Sequence, residues 1–145
     1  MNSFKQLEGL EFDSFYKVHI QEEGGTYTIN DSILIAGMAD KNCFQIFTDQ
    51  TGITIFNLNE VEPHIDGEYA IERIYFEPIL DTDKFVIETI HCVWDAHQLY
   101  VLAFVFYTSK EPFYFIRLSD EIRMVDKDVF DQTLSNVRHI IVTEK

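Results

Sequence analysis

The sequence predicts an α+β domain that is predominantly β, a strongly bent antiparallel sheet (meander or partly closed barrel) with a C-terminal helix packed on it. Three observations carry this expectation. Apolar and polar residues alternate in short runs, the pattern of strands with one buried face. Turn-forming residues separate the runs, and Gly25, Gly37, Gly52 and Gly67 recur at strand-length intervals. The period changes only near the C-terminus, where Phe130, Leu134 and Val137 fall on one helical face. A two-sheet sandwich or a small barrel is the alternative arrangement of the same strands.

In chain order, Ser3, Phe4, Leu7 and Gly9 mark a short opening helix, capped at Ser3 and stopped at Gly9. Tyr16, Val18 and Ile20 then alternate with Lys17 and His19 as a strand. Glu22-Glu23-Gly24-Gly25 turns the chain into a second strand at 26–29, and Asn30-Asp31 reads as a further turn. Three strands rich in Ile and Phe follow, at 33–38, 43–48 and 53–58. After a loop at 63–67 comes a strand at 68–77, ended or edged by Pro78, because proline cannot donate to a ladder. Leu80-Asp81-Thr82-Asp83 reads as a turn before a strand at 85–94. Its partner at 99–108 is apolar on both faces, with Leu99, Val101, Ala103 and Val105 on one and Tyr100, Leu102, Phe104 and Phe106 on the other, so it is expected at the centre of the sheet. A strand at 113–118 follows. Asp128 and Asp131 suggest a capped helix at 129–138 that covers the second face of the central strands, and Ile140 to Val142 supply an edge strand.

With 145 residues, 46% of them hydrophobic, the chain is expected to form one domain, 1–145, whose core needs neither disulfide nor metal as a staple. Cys43 and Cys92 are expected to be reduced and buried, each in an apolar strand. The opening MNSFKQLEGLEF lacks a basic start followed by an apolar run, so a cytoplasmic location is expected. The longest apolar run, Leu99 to Tyr107, is too short for a membrane helix. Lys and Arg number 11 against 25 Asp and Glu, a formal net charge of -14. That field repels phosphate backbones and anionic membranes, which argues against direct nucleic-acid or membrane binding, and it attracts basic proteins.

Signatures of catalysis are missing. The sequence holds no GxSxG elbow, no GxxxxGK loop and no GxGxxG fingerprint. His91, Asp95 and His97 lie close in sequence, but HxxxD with a turn histidine is a poor match to metal-ligand spacing. Asp81, Asp83 and Glu88 fail the calcium-loop pattern, which needs an oxygen ligand at Phe85 and glycine at Val86. No catalytic residue, metal or cofactor is therefore assigned. One asymmetry remains. Between Glu60 and Asp95 ten acids face only Arg73 and Lys84. Glu60, Glu62, Asp66, Glu68, Glu72, Glu77, Asp81 and Asp83 are the candidate partner-binding residues. The expected function is a small acidic binding protein that neutralises a basic protein partner, such as a nuclease toxin, in the manner of an immunity protein or antitoxin. The alternatives are a barrel-like domain holding a small apolar ligand between its aromatic faces, and a metal-dependent hydrolase built on His91, Asp95 and His97.

Overall fold

The computed structural model describes residues 4–49, 52–67, 69–97, 100–118, 121–137 and 139–143. A 3-10 turn at Phe4–Leu7 leads into β1 (Glu11–Glu22), β2 (Gly25–Gly37), β3 (Asn42–Asp49) and β4 (Gly52–Asn57). An irregular segment, 58–72, crosses to β5 (Arg73–Asp95). Then come β6 (Val101–Thr108), β7 (Phe113–Leu118), β8 (Glu121–Val125), helix α1 (Lys127–Leu134) and β9 (His139–Thr143). All pairings are antiparallel, in the order β4-β3-β2-β1-β5-β6-β7-β8, with β9 also on β5. The expected class is what is found: a strongly curled, unclosed antiparallel sheet with one C-terminal helix.

β5 links the two halves. Its register runs from Arg73 to Val86 against β1, then from Ile87 to Trp94 against β6, while His91 to Asp95 also pair with β9. Two register shifts against β1, near Phe15 and Phe12, let the strand bend without reversing. Leu80-Asp81-Thr82-Asp83, expected as a turn, is therefore continuous strand. Asn30-Asp31 corrects in the same way: β2 runs through it, and the ladder to β1 slips between Lys17 and Val18. Polar, turn-forming residues satisfy the local geometry of a bulge as readily as that of a turn. Gly37 permits the curl at the other end of β2, because a Cβ there would collide with the Glu11 carbonyl.

The concave face holds the main core. Phe12, Phe15, Phe85, Phe104, Phe106 and Phe115 are fully buried there with Ile35, Ile46 and Ile87. Their rings touch, with centroids 4.7 Å apart for Phe104 and Phe115 and 5.0 Å for Phe15 and Phe113. Arg117 of β7 ties the curled ends together. Only 9% exposed, it donates through Nε to Thr48 Oγ1 and through its terminal nitrogens to the Asp49 and Val101 carbonyls (3.2 Å for Val101). A guanidinium suits this span because its donors sit in a fixed fork.

Two coverings lie on the convex face. Phe130 and Leu134 of α1 pack on Val93, Ala103, Val105 and Ile116. The helix starts earlier than expected, because Asp126 caps it by accepting from the Val129 amide at 2.8 Å, and it ends at Leu134, leaving Val137 outside and exposed. Segment 58–72 covers the other half, laying Leu58 and Ile65 on Val18, Ile20, Ile29 and Leu34. Fully buried Gln45 straps it down: its side chain accepts from the His64 amide, and donates to the His64 carbonyl, both at 2.7 Å. Gln45 also donates to Ser32 Oγ at 2.8 Å, so its amide is satisfied on both ends.

β6 has Ala103 and Val105 on the convex side and Phe104 and Phe106 in the aromatic core, as the two-faced pattern requires. Leu102 departs from it. The ladder slips between Val93 and Trp94, and Leu102 is half-buried against the convex cluster. Cys92 is buried and Cys43 only half-buried, both as free thiols, so the expectation of burial holds for the first alone. Phe104→Ala should therefore cost about 3 to 5 kcal/mol, and Leu102→Ala clearly less. Urea denaturation of both variants measures the difference, and equal midpoints would contradict the placement of these side chains.

Candidate partner-binding surface

The eight acids named from sequence do not form one patch. Glu60, Glu62 and Asp66 lie exposed on segment 58–72, which runs over the convex face. Glu72 is exposed just before β5, where its amide extends the ladder to the Gln21 carbonyl at 2.8 Å. Glu77 faces the opposite way. It is within 3.2 Å of His19 Nε2, and His19 alternates with Val18 and Ile20, which point to the convex cluster. Asp81 and Asp83 are exposed further along β5, and Asp83 is 3.8 Å from Lys110. Glu68 falls outside the described residues.

The acids of β5 have a structural reading. Over Arg73 to Val86 this strand has β1 as its sole strand partner among the described residues. Glu77, Pro78, Asp81 and Asp83 are exposed along that stretch. Charges and proline on an unpaired strand edge deter the addition of a foreign strand.

The convex face is different, because exposed aromatic residues join the acids. By register, Tyr27 stands opposite Ile20 and Phe76 opposite Val18, so both continue the convex apolar row beyond its covered part. Tyr69 joins Tyr27 with ring centroids 6.0 Å apart. Tyr27, Tyr69, Ile71 and Phe76 are 39–45% exposed. Glu22, in phase with Val18 and Ile20 on β1, accepts from the Ala70 amide at 3.0 Å and fixes the strand entry beside them. Glu72, in phase with Ile74 and Phe76, borders the patch on the other side. Large apolar groups rimmed by charge are the composition of a protein-binding surface. Sequence reasoning passed over Glu22, Tyr27 and Tyr69 because they sit at a hairpin tip and in a loop. The alternation of Tyr27 with Ile29 was the available clue.

Burial of one acid on this face works against stability. Asp31 lies partly buried near Asp66 and His64, and desolvation raises its pKa above the ordinary aspartate value, with the charge of Asp66 adding to the rise. Ser32 Oγ donates to its carboxylate at 3.2 Å, which offsets only part of that cost.

Of the other candidate groups, Asp95 and His97 line one cleft, and His91 is not among its lining residues. The His91 ring packs on Tyr107 with centroids 4.8 Å apart, Asp95 accepts from the Tyr100 amide at 3.4 Å, and His97 is exposed in the following turn. Among the described residues no three His, Cys, Asp or Glu side chains converge to hold a metal ion. No helix of the described residues is long and apolar enough to cross a membrane. Comparison with protein-family models, curated proteins and solved structures finds no match.

Asp31→Asn should stabilise the protein at neutral pH. A carboxyl whose pKa is raised on folding destabilises the native state where it is ionised, so removing its charge is a gain above that pKa. The gain should shrink as pH falls through the raised pKa and vanish below the ordinary value of 3.8. Denaturant midpoints of both proteins at neutral pH and near pH 3.5 check this; a gain that persists at the lower pH would refute the charge argument.

Proposed function

We propose that this protein is an acidic binding module that neutralises a basic protein partner, in the manner of an immunity protein or antitoxin. The observation that carries the reading is the convex patch, where Tyr27, Tyr69, Ile71 and Phe76 are exposed beside Glu22 and Glu72 in a chain of net charge -14. Aromatic anchors supply binding energy at the centre of an interface, while a rim of carboxylates accelerates encounter with a cationic surface and selects Arg-rich partners. The cost of burying Asp31, to which Asp66 adds, supports the same view, since stability alone gives no reason to keep an acid there. The contact surface is thus narrower than the sequence suggests. Glu72 and Asp66 belong to it, and Glu77, Asp81 and Asp83 guard the edge of β5.

The aromatic rings of the core pack on one another, which speaks against a ligand held between them. Among the described residues no three His, Cys, Asp or Glu side chains converge, so the metal-dependent hydrolase reading gains no support.

The test is affinity capture from the native host at low and high salt, with quantification of a basic partner bound by the intact protein. Phe76→Ala should weaken binding at either salt by about tenfold or more, as expected for an aromatic anchor. Glu72→Lys should chiefly slow association and flatten its salt dependence. Loss of binding with Asp83→Lys but not with Phe76→Ala would move the interface to β5 and refute this surface. Failure to retain any basic protein at low salt would refute the function.

A further inference from the structure

Where the curled sheet stays open, a cleft of about 240 Å³ separates β1 and β2 from β8. Its apolar lining is Ile29, Ile33 and Ile122, all buried, with Ile79 and Met124 half-buried beside them, and Asn30 and Ser32 add polar groups. Its charged rim is made of Lys17, Arg123 and Glu121. These cations are unusual in so acidic a chain. Glu121 is matched by Arg123, whose Nε lies 2.5 Å from its carboxylate. Lys17 makes no ion pair among the described residues. Glu77, its neighbour across the ladder, engages His19 instead. The rim therefore carries one net positive charge above an apolar floor, and none of Tyr27, Tyr69, Ile71 and Phe76 lines it.

From this geometry we infer a second site, one that binds a small monocarboxylate with a hydrocarbon body. The carboxylate is held by the Lys17 ammonium and the terminal nitrogens of Arg123, which remain available while Nε serves Glu121. The hydrocarbon lies on Ile33, Ile122 and Met124, where water leaves apolar surface on both partners. A cleft of this volume is at the small end of ligand sites, which favours a short chain over a long-chain lipid. The site is independent of the convex patch, so either can fail without the other.

Titration of octanoate into the isotope-labelled protein, followed by amide chemical shifts, tests the site. Saturable shifts are expected at Lys17, Ile33, Ile122 and Arg123. Lys17→Met should weaken binding about tenfold, the effect of losing one charge-assisted hydrogen bond. Glu121→Gln should tighten it, because it removes a like charge and frees the Arg123 guanidinium. Thermal melts of both variants establish that the rim substitutions leave the fold intact. Octylammonium binding as tightly as octanoate would overturn the proposal by showing that charge plays no part. So would octanoate shifts that lie elsewhere, that fail to saturate, or that are unchanged by Lys17→Met.

Discussion

One strand belongs to both halves of the sheet, and that membership constrains nearly everything else. β5 must stay extended over 23 residues while its partner changes from β1 to β6 and β9. It manages this by bulging, and each bulge strengthens the local twist and bends the sheet. The bend makes the concave face deep enough for six fully buried phenylalanines. It also brings β7 close enough to β3 for Arg117 to cross between them. Without the shared strand there would be two flat, thin sheets, each with an apolar face and nothing to cover it.

The convex face is covered by unlike elements, and the difference sets where function can reside. A helix is a self-satisfied cylinder and needs only an apolar stripe, which Phe130 and Leu134 provide. An irregular segment has no internal ladder, so its polar backbone must find partners beneath it. Gln45 is the sheet's answer to that need, meeting both backbone groups of His64 with one buried amide. The covering ends before Tyr27 and Phe76, which continue the same apolar row into solvent. The candidate surface is thus the uncovered remainder of a face that the rest of the fold takes care to bury.

Much of the fold was legible because strand alternation is a direct image of burial. The two-sided pattern of residues 101–106 placed β6 at the centre, and the apolar spacing of Phe130 and Leu134 placed a helix over it. What misled was punctuation. Asn30-Asp31 and Asp81-Thr82-Asp83 have turn composition, yet whether such residues reverse a chain or bulge it depends on the partner strand, which is distant in sequence. β8 went unseen because Glu121, Arg123 and Met124 dilute its alternation. The site was less legible still. A count of acids ignores the alternation that sends Glu72 and Glu77 to opposite faces, and it says nothing of Tyr69, whose place follows from the path of a loop.

The pairing of β1 with β5 also bears on how the chain reaches this state. Gln21 meets Arg73 and Glu11 meets Val86, so none of these contacts is local. The meander from β1 to β4 forms from neighbouring segments, but Phe12, Phe15 and Phe44 then present an open aromatic face until β5 arrives. Long-range closure of this kind slows folding and lengthens the life of sticky intermediates. On a ribosome the first four strands emerge well before their cover is synthesised. The part already made carries its own excess of acids, Glu8, Glu11, Asp13, Glu22, Glu23, Asp31, Asp40 and Asp49 against Lys5, Lys17 and Lys41, and mutual repulsion between half-finished chains opposes their association while each waits for its own fifth strand.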